Sequence, residues 1–175
     1  MESSVIIRDE TERDHDDIRK VHLAAFLEDG PGRLVDDLRR SGDATISLVA
    51  ESESSIVGHV LFSRIEAPMR ALIMAPVGIG PNLHGAGIGS ALVRAGIARA
   101  EAAGWEVVFV LGSPDYDGRF GFAADAAAGY TGPYGGPSFM ALLFKDGVPE
   151  NGRLAFPAAF DEDIKSHVTK RQAER

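Results

Sequence analysis

The residues of this chain whose types and spacing could do chemistry are concentrated in one stretch, Ala75-Pro76-Val77-Gly78-Ile79-Gly80-Pro81-Asn82-Leu83-His84-Gly85-Ala86-Gly87-Ile88-Gly89-Ser90-Ala91-Leu92-Val93. An apolar strand pattern runs through a short glycine-rich loop into a helical pattern whose first turn still carries glycines. Glycine removes the Cβ atoms that would hold a ligand away from the backbone, and the unpaired N–H groups of a helix start favour phosphate. The pattern predicts a diphosphate site made of backbone; a turn that serves only close strand–helix packing is the alternative. Two familiar phosphate loops are excluded. A P-loop needs Lys-Ser/Thr after its last glycine, whereas Gly89 is followed by Ser90 and Ala91, and a dinucleotide fingerprint needs a different spacing from that of Gly85, Gly87 and Gly89.

Other chemistries find little support. The chain has no cysteine, which removes disulfides, thiolate metal sites and cysteine nucleophiles together and fits a reducing cytoplasm. His15 and His22 have no partners at metal-ligand spacing, so no metal site is expected. His59, in Gly58-His59-Val60-Leu61-Phe62, reads as a satisfied core or rim histidine. No Gly-x-Ser-x-Gly elbow points to a serine hydrolase, and no basic patch interleaved with aromatics points to nucleic acid.

The elements that must position the glycine loop can be read from periodicity. A strand is expected at 5–7. A helix opened by Thr11 and Asp14 carries Ile18, Val21, His22, Ala25 and Phe26 and ends near Gly30, and the acidic run 9–17 reads as its solvated first turn. Leu34, Val35 and Leu38 mark a second short helix stopped by Gly42. Strands follow at 46–50 and 56–65 around a polar turn at 51–55, and at 70–79, where the strand is apolar throughout as in a sheet covered on both faces. After the loop at 80–87, a helix over 88–103 has Ile88, Leu92, Gly96 and Ala100 in one stripe and Gly104 as its stop. A strand at 107–111, a turn at 112–114 and strands at 120–122 and 139–144 complete the pattern, with Phe156, Pro157 and Phe160 packing back. The order predicts an α/β chain, a mixed sheet flanked by helices, with one domain over 1–161 and a polar tail over 162–175.

The 175 residues, 45% hydrophobic and 25% charged, suit a single globular domain. A net charge of −8 repels nucleic acid and anionic lipid. The N-terminal residues carry no secretory signal pattern. The uncharged run from 71 to 93 is too broken by Gly and Pro for a membrane span. No nucleic-acid and no membrane partner is expected, and the location is expected to be cytoplasmic.

The motif His84-Gly85-Ala86-Gly87-Ile88-Gly89 resembles the Gln/Arg-x-x-Gly-x-Gly/Ala signature of the GCN5-related N-acetyltransferase (GNAT) family. The segment Val108-Phe109-Val110-Leu111-Gly112-Ser113-Pro114-Asp115-Tyr116-Asp117-Gly118-Arg119-Phe120-Gly121-Phe122 is similar to that family's second strand and Tyr-x-x-x-Gly-Phe ending, above all in a bacterial subgroup of predicted N-acetyltransferases. The resemblance implies a mostly antiparallel mixed sheet and an acetyltransferase that takes acetyl-CoA as acyl donor, needs no metal, and acetylates a small-molecule or peptide primary amine as monomer or homodimer. It implies that His84 and the backbone of Gly85, Ala86, Gly87, Ile88, Gly89 and Ser90 hold the diphosphate. The strand backbone at Val77, Gly78 and Ile79 would pair with the pantetheine arm, with an N–H of Ile79 or Gly78 on the oxyanion.

The chain departs from the family at two positions. His84 stands where Gln or Arg is usual, and Asp117 stands where the family's thiolate-protonating tyrosine is usual, which leaves the adjacent Tyr116 as the candidate acid. Glu28, Asp29 and Glu66 fall where this fold binds acceptors, and Arg94, Arg99 and Arg119 are candidate contacts for the CoA 3′-phosphate. A non-catalytic acyl-CoA-binding module, favoured by Asp117, is the competing function; an interaction domain that binds no CoA is the third.

Overall fold

The α1 helix, His15–Phe26, is set up by the residues just before it. In a one-turn 3₁₀ segment, Glu12–Asp14, the N–H and hydroxyl of Thr11 donate to Asp14 Oδ2 at 2.7 and 3.1 Å. Asp14 does not join the solvated acidic turn expected over 9–17. It is 6% exposed, and the Arg8 guanidinium donates to its two oxygens at 2.8 and 3.1 Å. A buried carboxylate survives here because a cation from the preceding strand and a local cap both serve it. The structure, a computed structural model, describes residues 4–83 and 85–166. His84 and the tail from 167 onward therefore lie outside the described residues.

The chain divides into two compact units, Met1–Ser63 with Met74–Ala103, and Arg64–Ile73 with Gly104–Arg175. The first holds β1 (Val5–Asp9), α1, α2 (Gly30–Ser41), β2 (Ala44–Ser52), most of β3 (Ser55–Ile65), the second part of β4 (Ala71–Ile79) and α3 (Ile88–Ala102). Strands β1, β2 and β3 pair antiparallel, with Val5 opposite Ser52 and Ser52 opposite Ser55 across the hairpin. The α1 helix stops at Phe26 rather than near Gly30, because Leu27 turns left-handed at φ 57°. Gly30 then opens α2 with Pro31 in its first turn, and α2 ends at Gly42, φ 83°, as its spacing predicts. Ile18, Leu38, Leu48, Val49, Leu61, Phe62 and Leu92 form a core with no more than 1% exposure. The α3 helix lies directly on β3: a Cβ on Gly96 would fall 2.1 Å from Phe62 Cε2.

The second unit holds β5 (Val107–Leu111), α4 (Pro114–Asp117), α5 (Ala124–Ala127), β6 (Tyr130–Thr131), β7 (Phe139–Leu143) and β8 (Gly152–Arg153). Residues Ala71–Ile73 of β4 pair parallel with Val107–Phe109, and β5 pairs antiparallel with β7. The strand expected at 120–122 does not form. Gly118–Phe120 is a 3₁₀ turn, and Gly121 at φ 101° ends it in a conformation that breaks a strand; only Ala123 bridges to Ala141. Phe160 is 2% exposed against Phe156, as expected of the returning segment. Residues 161–166 are helical, and Tyr134 donates its hydroxyl to Asp163 Oδ2 at 2.5 Å.

The hydrogen-bonded strand order is β1-β2-β3-β4-β5-β7, with the β1–β2, β2–β3 and β5–β7 pairs antiparallel and the β4–β5 pair parallel, and with β6 and β8 in a separate parallel ladder. This is the mixed, mostly antiparallel sheet with flanking helices that the sequence predicts. Among the described residues no helix is long and apolar enough to cross a membrane.

Candidate acyl-CoA site

Just past the end of β4, the Gly80 N–H donates to the Val57 C=O of β3 at 2.9 Å. Successive N–H groups of an extended strand point to opposite edges. With Gly80 facing β3, the N–H of Ile79 faces the other edge, past the end of the β4–β5 ladder at Ile73. Of the two oxyanion donors expected, Ile79 is thus the one whose N–H points away from β3.

Beyond Gly80 the chain makes a tight double turn. Leu83 N–H bonds Gly80 C=O at 2.9 Å and Ala86 N–H bonds Leu83 C=O at 3.2 Å. Ala86 has therefore spent its donor inside the loop, which removes it from the expected set of diphosphate contacts. Gly85 and Gly87 sit at φ 86° and 81°, and a Cβ on either would meet nothing within 4 Å. Glycine is needed at these two positions for the left-handed backbone rather than for lack of room. The α3 helix starts at Ile88 with no side-chain cap and no acidic residue in its first turn. Its leading N–H groups, on Ile88, Gly89 and Ser90, carry the positive end of the helix dipole toward the exposed loop.

The position of this helix start is fixed from beneath. A Cβ on Gly58 of β3 would lie 2.9 Å from Leu92, 3.0 Å from Ile79 and 3.3 Å from Ile88. The absent side chain at 58 lets β4 and the first turn of α3 close on each other. On the opposite face of β4, Gly78 packs against α1, where His22 Nδ1 lies 2.4 Å from the position of a Cβ. His22 and His59 are both fully buried and bonded to each other. Nothing in local spacing links positions 37 residues apart. The available signal was a polar residue on each of two apolar stripes.

Glu66, Tyr116 and Asp117 belong to the second unit. Asp117 is 7% exposed and folds back on its own turn, where its Oδ2 accepts the Ser113 N–H at 3.0 Å. The same oxygen would lie 2.1 Å from a Cβ on Gly112. Burial pushes the Asp117 carboxyl up, opposed by the Ser113 N–H and the charge of Arg119. Tyr116 is 39% exposed, with the Arg119 guanidinium 4.5 Å above its ring and Phe120 edge-on at 5.4 Å. Glu66 is exposed, and its backbone bridges to Ala155.

Among the other candidates, Asp29 pairs with Arg19 at 3.2 Å and Arg33 at 3.4 Å, and Arg99 pairs with Asp9 at 2.8 Å. Arg99 is therefore held in an ion pair; Glu28 and Arg94 are exposed.

Comparison with known proteins gives the family and the fold. The profile of the acetyltransferase (GNAT) family matches residues 11–119. The chain is 37% identical over 130 residues to the uncharacterized N-acetyltransferase YjhQ of Escherichia coli K12, covering 69% of this chain and 71% of that protein. It is 32% identical over 122 residues to the uncharacterized N-acetyltransferase YhbS of the same strain, covering 67% and 73%. The crystal structure of YhbS in complex with CoA superposes with a TM-score of 0.84 at 26% identity, covering 92% of this chain and 94% of that one. A GNAT family acetyltransferase from Brucella melitensis in complex with acetyl-CoA gives 0.77 at 33% identity, covering 91% and 100%.

Proposed function

The chain belongs to the acetyltransferase (GNAT) family, and from that premise we propose that it transfers acetyl from acetyl-CoA to a primary amine by direct attack in a ternary complex. The observation that carries the reading is the junction of β4 and α3: a strand edge with an outward N–H at Ile79, two left-handed glycines, and an uncapped helix start free of acids. The N–H groups of Gly85 and Gly87 to Ser90 receive the diphosphate. The backbone of Val77 and Ile79 pairs with the pantetheine amides as an added strand. Two related crystal structures, described as complexes with CoA and acetyl-CoA, support the choice of cofactor.

The chemistry asks for three things. The amine must be neutral, and taking a lysine-like ammonium to its neutral form at pH 7 costs roughly 4–5 kcal/mol. The tetrahedral oxyanion needs a donor, which we assign to Ile79 N–H. The thiolate, with a free-thiol pKa near ~8.5, leaves more readily with a proton donor, which we assign to the exposed phenol of Tyr116. Asp117, tied to the Ser113 amide, is assigned to holding the turn that presents Tyr116.

The test combines calorimetry of acetyl-CoA binding with thiol release across amines, amino acids, polyamines and peptides. Binding with amine-dependent release supports the reading. Binding without release from any amine would favour the non-catalytic module, and no binding at all would remove both.

A further inference from the structure

Two histidines and a serine form a single hydrogen-bonded file through the first unit. His22 Nε2 and His59 Nδ1 are 2.7 Å apart, and His59 Nε2 and Ser47 Oγ are 2.7 Å apart. The rings meet edge to face, with centroids 5.0 Å apart. Both histidines are fully buried, whereas Ser47 is half-buried, so the file has an outer end near the surface. Its inner end is unfinished. His22 Nδ1 is buried without a hydrogen-bond partner among the described residues and points at Gly78, where a Cβ would fall 2.4 Å from it. A buried ring nitrogen left unpaired is uncommon and asks for a reason.

The file has two neutral arrangements. If Ser47 donates to His59 Nε2, then His59 Nδ1–H donates to His22 Nε2, and His22 Nδ1 carries the outward proton. If Ser47 accepts instead, every bond reverses and His22 Nδ1 presents a lone pair. Burial holds both rings below the ordinary histidine range, His22 at about 4, and His59 is lowered further by its neighbour and by Arg39 of α2. Such rings resist holding a charge but can pass a proton, because each gains one at one nitrogen as it loses one at the other.

Position gives this a use, on the reading of the site above. If the acetyl oxygen rests on Ile79 N–H, the thioester lies near the plane of β4 with a sheet face on either side. One face is taken by Ile79, Ile88 and Leu92, at the helix that receives the diphosphate. The other is the Gly78 face, and beneath it lies His22. An amine that attacks from the side opposite the diphosphate would arrive on that face.

We propose that His22, His59 and Ser47 are a proton relay for the acetyl transfer, with His22 Nδ1 as the inner terminus and Ser47 Oγ as the outer one. An ammonium N–H bond breaks as its proton passes over one water to His22 Nδ1. The His22 Nε2 proton moves to His59 Nδ1, the His59 Nε2 proton to Ser47 Oγ, and the Ser47 hydroxyl proton to solvent. The freed amine lone pair forms the C–N bond, the C–S bond breaks, the sulfur takes a proton from the Tyr116 phenol and a second amine proton replaces it through solvent, so that ammonium and thioester give amide, thiol and one released proton. After product release the reverse shift, with a proton taken up at Ser47 and one given to bulk water at the inner end, restores the starting tautomers.

The test uses the full chain and two variants, Ser47→Ala, which cuts the half-buried outer end, and His59→Gln, which can hydrogen-bond to both neighbours but cannot exchange tautomers. Calorimetry with acetyl-CoA comes first: the parent and both variants are expected to bind alike, and a parent that does not bind overturns the site reading and the relay with it. Thiol release is then compared for propylamine, an ammonium at pH 7.5, and methoxyamine, already neutral there. The relay predicts a fall of about 10²-fold for propylamine in both variants and a change within about threefold for methoxyamine. Equal losses with both amines would assign the file a structural role only and overturn the proposal, as would no loss with either, or a parent that binds acetyl-CoA but acetylates neither amine. Nitrogen-15 spectra of the parent give a readout independent of turnover: two neutral, mutually bonded rings exchanging tautomers support the relay, and a charged ring or one locked tautomer pair refutes it.

Discussion

Gly87→Asp separates the cofactor loop from the rest of the fold. Gly87 is at φ 81° with open space around its Cβ position, so the new side chain meets no clash. Its left-handed backbone costs an L-residue roughly 1–2 kcal/mol, with Asp among the residues that tolerate it best. A carboxylate at an uncapped helix start returns about 0.5–1 kcal/mol through the dipole and a local cap. The free protein should therefore lose less than about 1.5 kcal/mol. The bound state is different. A carboxylate ~4 Å from one diphosphate charge, at an effective dielectric of ~20, is opposed by roughly 4 kcal/mol before solvent screening, and about 3 kcal/mol afterwards is a factor of about 10² in Kd. Calorimetry with acetyl-CoA, beside a urea melt, reads both quantities. Gly87→Ala, which carries the strain without the charge, should keep its affinity within a few-fold. A folded Gly87→Asp protein that binds acetyl-CoA as tightly as the parent would refute the placement of the diphosphate.

Three further outcomes follow from particular contacts. Tyr116→Phe should lower kcat by about 10²-fold, within the usual range for a lost general acid, while leaving acetyl-CoA affinity within twofold; steady-state kinetics on a confirmed acceptor decides it. Asp117→Tyr looks from sequence alone like restoration of the family residue, yet it should cost more than about 2 kcal/mol in a denaturant melt, because a ring must replace a carboxyl packed against Gly112, whereas Asp117→Asn, which keeps an oxygen for the Ser113 N–H, should stay within about 1 kcal/mol. The Asp14 carboxyl is held down to about 2 by Arg8, so it stabilises the fold fully above the unfolded carboxylate range near ~4 and loses that contribution as pH falls through about 2. Asp14→Asn should thus cost about 1–2 kcal/mol at pH 7, allowing for the partial exposure of Arg8, with a gap to the parent that shrinks between pH 4 and 2; a gap that does not change with pH contradicts the ion pair.

What the sequence made legible was local, and what it hid was not. Gly42 and Gly104 take the left-handed backbone expected of helix stops, because dihedral demand at a helix end is written locally; Gly85 and Gly87 share it, where the sequence suggested only a missing Cβ. Leu27 takes it too, and no rule of composition marks a leucine as a helix stop. At 120–122, aromatic residues around a glycine look like a strand, but Gly121 at φ 101° makes that stretch a turn. Asp14 reads as one acid among several in a solvated run, since its partner Arg8 is identified only once the chain has folded back. The bond between His22 and His59 needs α1 laid across β3, a tertiary event that neither segment records by itself. For the same reason the sequence could offer both Gly78 and Ile79 as oxyanion donors, and one bond, Gly80 to Val57, favours Ile79.

The central claim, acetyl transfer to a primary amine, is tested most directly by incubating the protein with acetyl-CoA and a broad amine panel, following thiol release and identifying products by mass spectrometry. The account predicts at least one amine for which thiol and N-acetylated product appear in equal amounts, at a rate set by the protein and lowered in Tyr116→Phe. Acetyl-CoA that binds but yields neither thiol nor acetylated product with any amine would contradict it.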